Sequence, residues 1–372
     1  MDNKKYVVKN TLGMFDLFKG IVMILVVVSH TEGLATFLDE YTTPAELLQN
    51  VNIIVLLISF ILLIFGQAAM PALFVISGYG FRKTTNKKCI VKQFKTILIP
   101  FFITVIISTI IHFPSYLLLF KDLSYAPIQT MSVFFGGLLG LTTDRYFHGF
   151  RLMACGPIWF MIALAIAMVI FNFLSNHFEG NKLFFSSFFV MVIGWIMSFK
   201  GPLPWSASQA FIAVFYLWLG YYIKKNKLLV SPMKKSHGIL TAIIVIAAII
   251  GSRGSSVLAM ALDSYPVGPL SIVAFGLLGT VIVKGFLQLN RFNGPISAFI
   301  RKIGRYSLYF LCIHSIEMVA VGSYLQYRFV HEWWQGSSTI RSAIILGIRI
   351  PFAIIVTFIF ARIREKMYKQ TL

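Results

Sequence analysis

FDLFKGIVMILVVVSHTEG, Phe15 to Gly33, is the stretch whose reading decides the fold. It is apolar for most of its length, yet it carries Asp16 and Lys19 near one end and His30 and Glu32 near the other. Ionisable groups inside a membrane segment are costly, and they are functional candidates by default. Lys19 and His30 are separated by about 1100° of helical rotation, so they fall roughly 20° apart on one helix face. The rise between them is about 16 Å, half of a bilayer's hydrocarbon core. One face therefore offers an ammonium near one membrane surface and an imidazole deep in the membrane.

The composition agrees with a membrane reading. The chain has 372 residues, 58% hydrophobic and 12% charged, with 36 Phe and a mean hydropathy of +0.80. A soluble domain would carry about 25% charged residues. An all-α polytopic membrane protein is expected, with residues 1–372 forming a single transmembrane domain in the lipid bilayer. The net charge of +20 would point to nucleic acid in a soluble protein. Here it is expected to mark cytoplasmic loops rich in Lys and Arg, with no nucleic-acid partner. Cys89, Cys155 and Cys312 have neither disulfide nor metal spacing, so no metal is expected. The first apolar run is too long for a signal peptide and lacks a small-residue cleavage pattern after it.

Ten apolar runs are long enough to span: 15–37, 51–81, 91–113, 157–175, 183–199, 208–223, 237–252, 269–288, 306–325 and 341–361. The Gly-rich run 131–142 is shorter than the roughly seventeen residues that a crossing needs. Charge decides its status. With ten spans and both termini cytoplasmic, the inside segments hold 25 of the 33 Lys and Arg residues. Counting 131–142 as a crossing would send the Lys224–Lys235 cluster outside, against the positive-inside rule. The run is expected to lie at, or dip into, the outer side.

On this topology Lys19 sits about one turn inside the cytoplasmic surface, where a lone lysine commonly snorkels to lipid phosphate. His30 has no such escape. Its alternatives are an interhelical hydrogen bond or a functional ring, and the shared face with Lys19 favours function. The second span ends PALFVISGYGFRK, which puts Ser77 and Tyr79 at the depth of Lys19 and Arg82 and Lys83 just below. Small residues there allow a backbone or a ligand to approach closely. The basic cluster is either ordinary positive-inside charge or a site for a phosphate-bearing ligand. The ninth run opens RYSLYFLCIHSIEM, where Ser307, His314 and Glu317 share a face. A carboxylate beside an imidazole can orient a general base, or it can simply tie helices together. On the outer side, Glu32, Arg151 and Trp159 are candidates for contact with an acceptor. For Trp159 the ordinary alternative is an interfacial aromatic belt. Arg253 and Arg349 are outer-side cations without an assigned role, and His112, His237 and His331 read as satisfied or interfacial histidines.

Three motifs together resemble the acyltransferase-3 family of bacterial membrane O-acyltransferases. FDLFKG followed by VVVSH is similar to the family's first-helix cation and histidine. FVISGY followed by basic residues and Ile99–Pro100 is the second motif, and YSLYFLCIH the third. They run in family order over nearly the whole chain. The resemblance implies transfer of an acyl group, usually acetyl, from cytoplasmic acyl-coenzyme A to a hydroxyl of a cell-envelope glycan. It carries the first-helix pair onto Lys19 and His30. Lys in place of the family's Arg loses bidentate phosphate geometry. The basic pattern beyond the second helix is only echoed, by Lys92 and Lys95, and no esterase-like extracellular domain accompanies the chain.

The expected function is a bacterial plasma-membrane O-acyltransferase with acetyl-CoA or another acyl-CoA as donor and no metal. Lys19, Ser77, Tyr79, Arg82 and Lys83 hold the donor in this reading. His30 is the general base or a transient acyl carrier, and His314 and Glu317 are further catalytic candidates. The rival from another class is a small-solute transporter on the same scaffold, since fold does not imply function. A third reading is a structural partner in envelope assembly.

Overall fold

Apolar side chains in long runs leave the backbone one way to satisfy its hydrogen bonds in lipid, which is to coil on itself. The computed structural model describes residues 11–31, 52–253, 258–292, 294–336 and 338–370, and these are helical but for one hairpin and the connecting loops. After a short turn, α1 runs Asp16–Ser29 with His30 as its C-cap, so Lys19 and His30 do lie on one helix. Helix α2 (Ile53–Tyr79) is N-capped by Asn52, whose side chain accepts from the Ile54 amide at 2.8 Å. Helix α3 (Asn86–Gln93) continues through a π-turn at Phe94–Leu98 into α4 (Ile99–Phe120). Helix α5, Ala126–Leu138, covers most of the run 131–142. It is about 20 Å long at the α-helical rise, short of a 30 Å core.

A β-hairpin (β1 Arg145–Phe147, β2 Phe150–Leu152) leads into a 3₁₀ turn and α6 (Trp159–His177). Then follow α7 (Gly180–Ser198), α8 (Ala207–Lys225), α9 (Lys235–Gly251) and α10 (Pro269–Leu289). The amphipathic α11 (Pro295–Arg305) precedes α12 (Ser307–Glu317), a π-turn at Met318–Gly322 and α13 (Ser323–Arg328). Helix α14, Ser338–Gln370, closes the chain.

Among the described residues six helices are long and apolar enough to cross a membrane, and the bent pair Ser307–Gly322 and Tyr324–Trp333 makes a seventh if read as one span. This is a multi-pass membrane fold. The runs 208–223 and 237–252 are helical too, as is most of the described part of 15–37, but α1 and α9 are short and α8 carries Ser208, Gln209, Tyr216 and three further aromatic residues with polar groups. Helix α8 is buried along most of its length, packed by α2, α6 and α7, so it answers to protein rather than to lipid. Glycine allows that packing. A Cβ at Gly78 would stand 2.2 Å from the Leu217 carbonyl, and one at Gly220 would stand 2.0 Å from that of Val75. The small residues at the end of α2 thus serve close backbone approach.

Polar contacts gather remote segments at one end of the bundle. Asn290 donates to the Met14 carbonyl at 2.8 Å, Lys83 lies 3.9 Å from Glu179, and Lys224 donates to the Phe81 carbonyl. Tyr306 donates to Glu365 at 2.6 Å. These are the segments that the charge count assigns to the inside.

Candidate active site

At the far end of α1 four side chains from three helices meet. His314 and Glu317 are one helical turn apart on α12, and His314 Nδ1 lies 3.1 Å from Glu317 Oε2. A carboxylate accepts, so in neutral His314 the proton sits on Nδ1 and Nε2 is left bare. That Nε2 is buried and has no hydrogen-bond partner among the described residues. The His30 ring stands alongside, 5.8 Å between centroids at 45°, and His30 is exposed where His314 is buried.

Glu317 is held from α14. Arg349 Nε lies 3.0 Å from Oε1, and Nη2 donates to Oε2 at 3.1 Å. Nη1 donates to the His30 carbonyl at 2.7 Å and to Gln326 Oε1 at 3.1 Å. One nitrogen thus donates to the carboxylate while Nε stands within ion-pair distance of its other oxygen, so the guanidinium pairs with Glu317 by charge and by one hydrogen bond. The chain makes room for it locally. A Cβ at Gly322 would stand 2.0 Å from Glu317 Oε1, so the π-turn after α12 needs glycine there. Ser315 ties the same turn of α12 to the Cys155 carbonyl at 2.9 Å.

At the opposite end of α1, Lys19 Nζ pairs with Asp16 at 3.0 Å, and Arg305 approaches the other Asp16 oxygen at 3.6 Å. Asp16 is buried and Lys19 half-buried. Lys19 lines a cavity of 160 Å³ with Ser77 and Ser307, whose remaining walls are apolar, among them Met23, Met161 and Leu311. The walls climb α1 from Lys19 to Met23 and α12 from Ser307 to Leu311. One turn beyond Leu311 comes His314.

The other candidates lie elsewhere. Tyr79 is buried, edge-on to Phe15 at 5.4 Å, with Lys224 6.0 Å above its ring. Arg82 and Lys83 are exposed beyond the end of α2 and do not line the cavity. Arg151 is bound to Asp144 within the hairpin at 2.5 and 2.8 Å. Trp159 is buried, its ring packed on Phe160 at 6.3 Å and not open to an acceptor. Glu32 lies outside the described residues. His112 is buried with both ring nitrogens bonded, to Thr130 at 2.8 Å and Tyr324 at 2.7 Å. Among the described residues no three His, Cys, Asp or Glu side chains group as metal ligands.

Two participants escape a reading of the sequence, Arg349 and Gln326. Arg349 stands in an apolar run, a signal that marks a functional candidate by itself. Its partner Glu317 lies on another helix, and no spacing rule connects them.

A family model described as an acyltransferase domain matches residues 13–362. No curated protein and no solved structure matches the chain.

Proposed function

The chain belongs to the acyltransferase-3 family and is a multi-pass membrane acyltransferase, and from that premise we propose that it carries an acyl group, most simply acetyl, from cytoplasmic acyl-CoA to a hydroxyl of an extracytoplasmic envelope glycan. The protein crosses the bacterial plasma membrane ten times with both termini inside, and residues 1–372 act as one domain. The lysine end of α1 faces the cytoplasm, as the positive-inside rule requires of the Lys- and Arg-rich segments gathered there.

The observation that carries this reading is the cavity that begins at Lys19 and ends one turn short of His314. Its polar mouth suits a charged head, and its apolar walls suit a thioester arm. Lys19 and Ser77 hold the donor at the mouth, with Arg82 and Lys83 drawing the anionic nucleotide toward it by charge. The arm covers the roughly 16 Å to the level of His30. There the acceptor hydroxyl attacks the thioester carbon as His30 takes the hydroxyl proton, and the carbon–sulfur bond breaks as His30 returns that proton to the leaving sulfur, releasing coenzyme A as its thiol. Glu317 holds His314 in one tautomer beside His30, and Arg349 holds Glu317. A guanidinium is absent at position 19; Arg305 shares Asp16 with Lys19 but does not line the cavity.

The test is binding and turnover of acetyl-CoA by purified protein. Lys19→Ala is expected to weaken binding about tenfold, the loss of one charge-assisted contact. His30→Ala is expected to bind donor as wild type does and to lose at least about 100-fold in turnover, the size of a general-base contribution. No binding of any acyl-CoA would remove the donor path and leave solute transport as the function to test.

A further inference from the structure

Arg349 is 6% exposed, inside an apolar helix, and every nitrogen of its guanidinium has an oxygen within 3.1 Å. Those oxygens belong to three separate pieces of chain. Two are the Glu317 carboxylate on α12, one is the main-chain carbonyl of His30 at the end of α1, and one is the side-chain amide of Gln326 on α13. The carbonyl of His30 is one of those a helix leaves unpaired at its C-terminus, where a cation is favoured. Thr31 Oγ1 lies 3.4 Å from the same Nη1.

This geometry has two consequences. The His30 ring hangs from the residue whose carbonyl Arg349 holds, and the His314 ring leans on the carboxylate that Arg349 holds. The guanidinium is therefore the part common to both imidazoles, and it sets their separation. Glu317 is also half-buried, at 10% of its side chain exposed, and Arg349 is the cation that pairs with it. Taking away one partner of such a pair leaves an uncompensated charge, which is far more damaging than never having had the pair.

We propose that Arg349 is a positioning residue for acyl transfer, fixing His30 and the His314–Glu317 pair in one working arrangement without touching the donor. The role rests on the acyltransferase reading above. Reacting groups displaced by about 1 Å lose about 100-fold in rate. Arg349 does not line the cavity that holds Lys19, so donor affinity is not expected to depend on it.

The experiment is steady-state turnover of acetyl-CoA by wild type, Arg349→Met and Arg349→Lys in detergent or nanodiscs, with and without added guanidinium chloride at non-denaturing concentration. Thermal stability is read on the same samples. Arg349→Met is expected to lose at least about 100-fold in kcat with KM for acetyl-CoA changed by less than about twofold. Guanidinium is expected to restore about tenfold or more of the Arg349→Met loss and nothing in wild type. Arg349→Lys keeps the charge without the fork and is expected to fall between the two. Unchanged kcat in Arg349→Met overturns the proposal alone, because wild type is then active and the donor path stands. Equal losses in Arg349→Met and Arg349→Lys, with a large fall in melting temperature and no rescue, also overturn it and leave Arg349 a fold-holding residue. Wild type that turns over no acyl-CoA removes the donor reading, and this role with it.

Discussion

A buried imidazole nitrogen without a partner is an expensive object, since leaving a polar group unsatisfied costs about 1–3 kcal/mol. His314 Nε2 is one, and its sister nitrogen Nδ1 is held by donating to the Glu317 carboxylate. Glu317→Gln leaves the buried Arg349 guanidinium without its counter-charge, so it is expected to lower the melting temperature and to lose about tenfold to 100-fold in turnover as the imidazole loses its anionic orienter. Measured kcat in the variant, beside its retained donor binding, checks this. A second buried polar group sits outside the spans. Asp263, in the loop between α9 and α10, takes a left-handed backbone with φ 52° and accepts from Ser208 at 2.8 Å. Its Oδ2 has no partner among the described residues, and burial pushes the carboxyl up from its ordinary 3.8 to about 6. The folded protein then binds that proton more tightly than the unfolded chain. The resulting stabilisation is full below the ordinary value and is lost as pH rises through about 6. Melting curves of wild type and Asp263→Asn between pH 4 and 7 test the sign: the advantage of acid pH should shrink in the variant.

At the scale of elements, two kinds of glycine decide geometry. Gly322 lies in the π-turn after α12, and such turns commonly sit at functional sites. Its missing Cβ is the space that the Glu317 carboxylate fills. Gly322→Ala is expected to displace that carboxylate and to lower turnover about 100-fold while donor binding persists, which kinetics on the purified variant would read directly. Gly20 and Gly304 do a different job. A Cβ at Gly20 would stand 2.1 Å from the Ile300 carbonyl, and one at Gly304 would stand 1.8 Å from that of Asp16. They let α1 and α11 lie backbone to backbone. Either Ala substitution forces the pair apart and is expected to cost about 1–3 kcal/mol, visible as a lower melting temperature. The elements also show where a sequence reading reaches its limit. Lys19 with His30, and His314 with Glu317, were legible because each pair rides one helix and the 3.6-residue period places it. Arg349 with Glu317 and His30 was not, because contacts between helices obey packing, which a spacing rule does not see. Trp159 fits the pattern of an interfacial ring, yet Phe160 and the surrounding core enclose it.

For the molecule as a whole, six of the ten apolar runs coincide, among the described residues, with helices long and apolar enough to cross a membrane, and others fall on shorter or more polar helices. Helix α8 shows the reason: most of its own residues are buried, the polar Ser208, Gln209 and Tyr216 among them, and neighbouring helices replace lipid as its solvent. The proposed sidedness has a direct check. Lys87 and Tyr146 are exposed, at segments assigned to opposite faces, and Cys89, Cys155 and Cys312 are all buried, so background labelling is low. A membrane-impermeant maleimide added to intact cells is expected to label Tyr146→Cys at once and Lys87→Cys only after permeabilisation. The reverse pattern would invert the topology.

The pairing of α1 with α11 also bears on biogenesis. Helix α1 leaves the ribosome well before α11, and the surface that covers its Gly20 face is not made until residues near 300 have left it. At 5–20 residues per second that is a wait of roughly 15–60 s. Meanwhile α1 offers the bilayer a short segment carrying Asp16 and Lys19, with Arg305 not yet there to share the charge. The helix bearing Lys19 and His30 is thus synthesised long before the part that locks it in place. A chain stopped before residue 295 keeps every group on α1 and lacks the part that seats it.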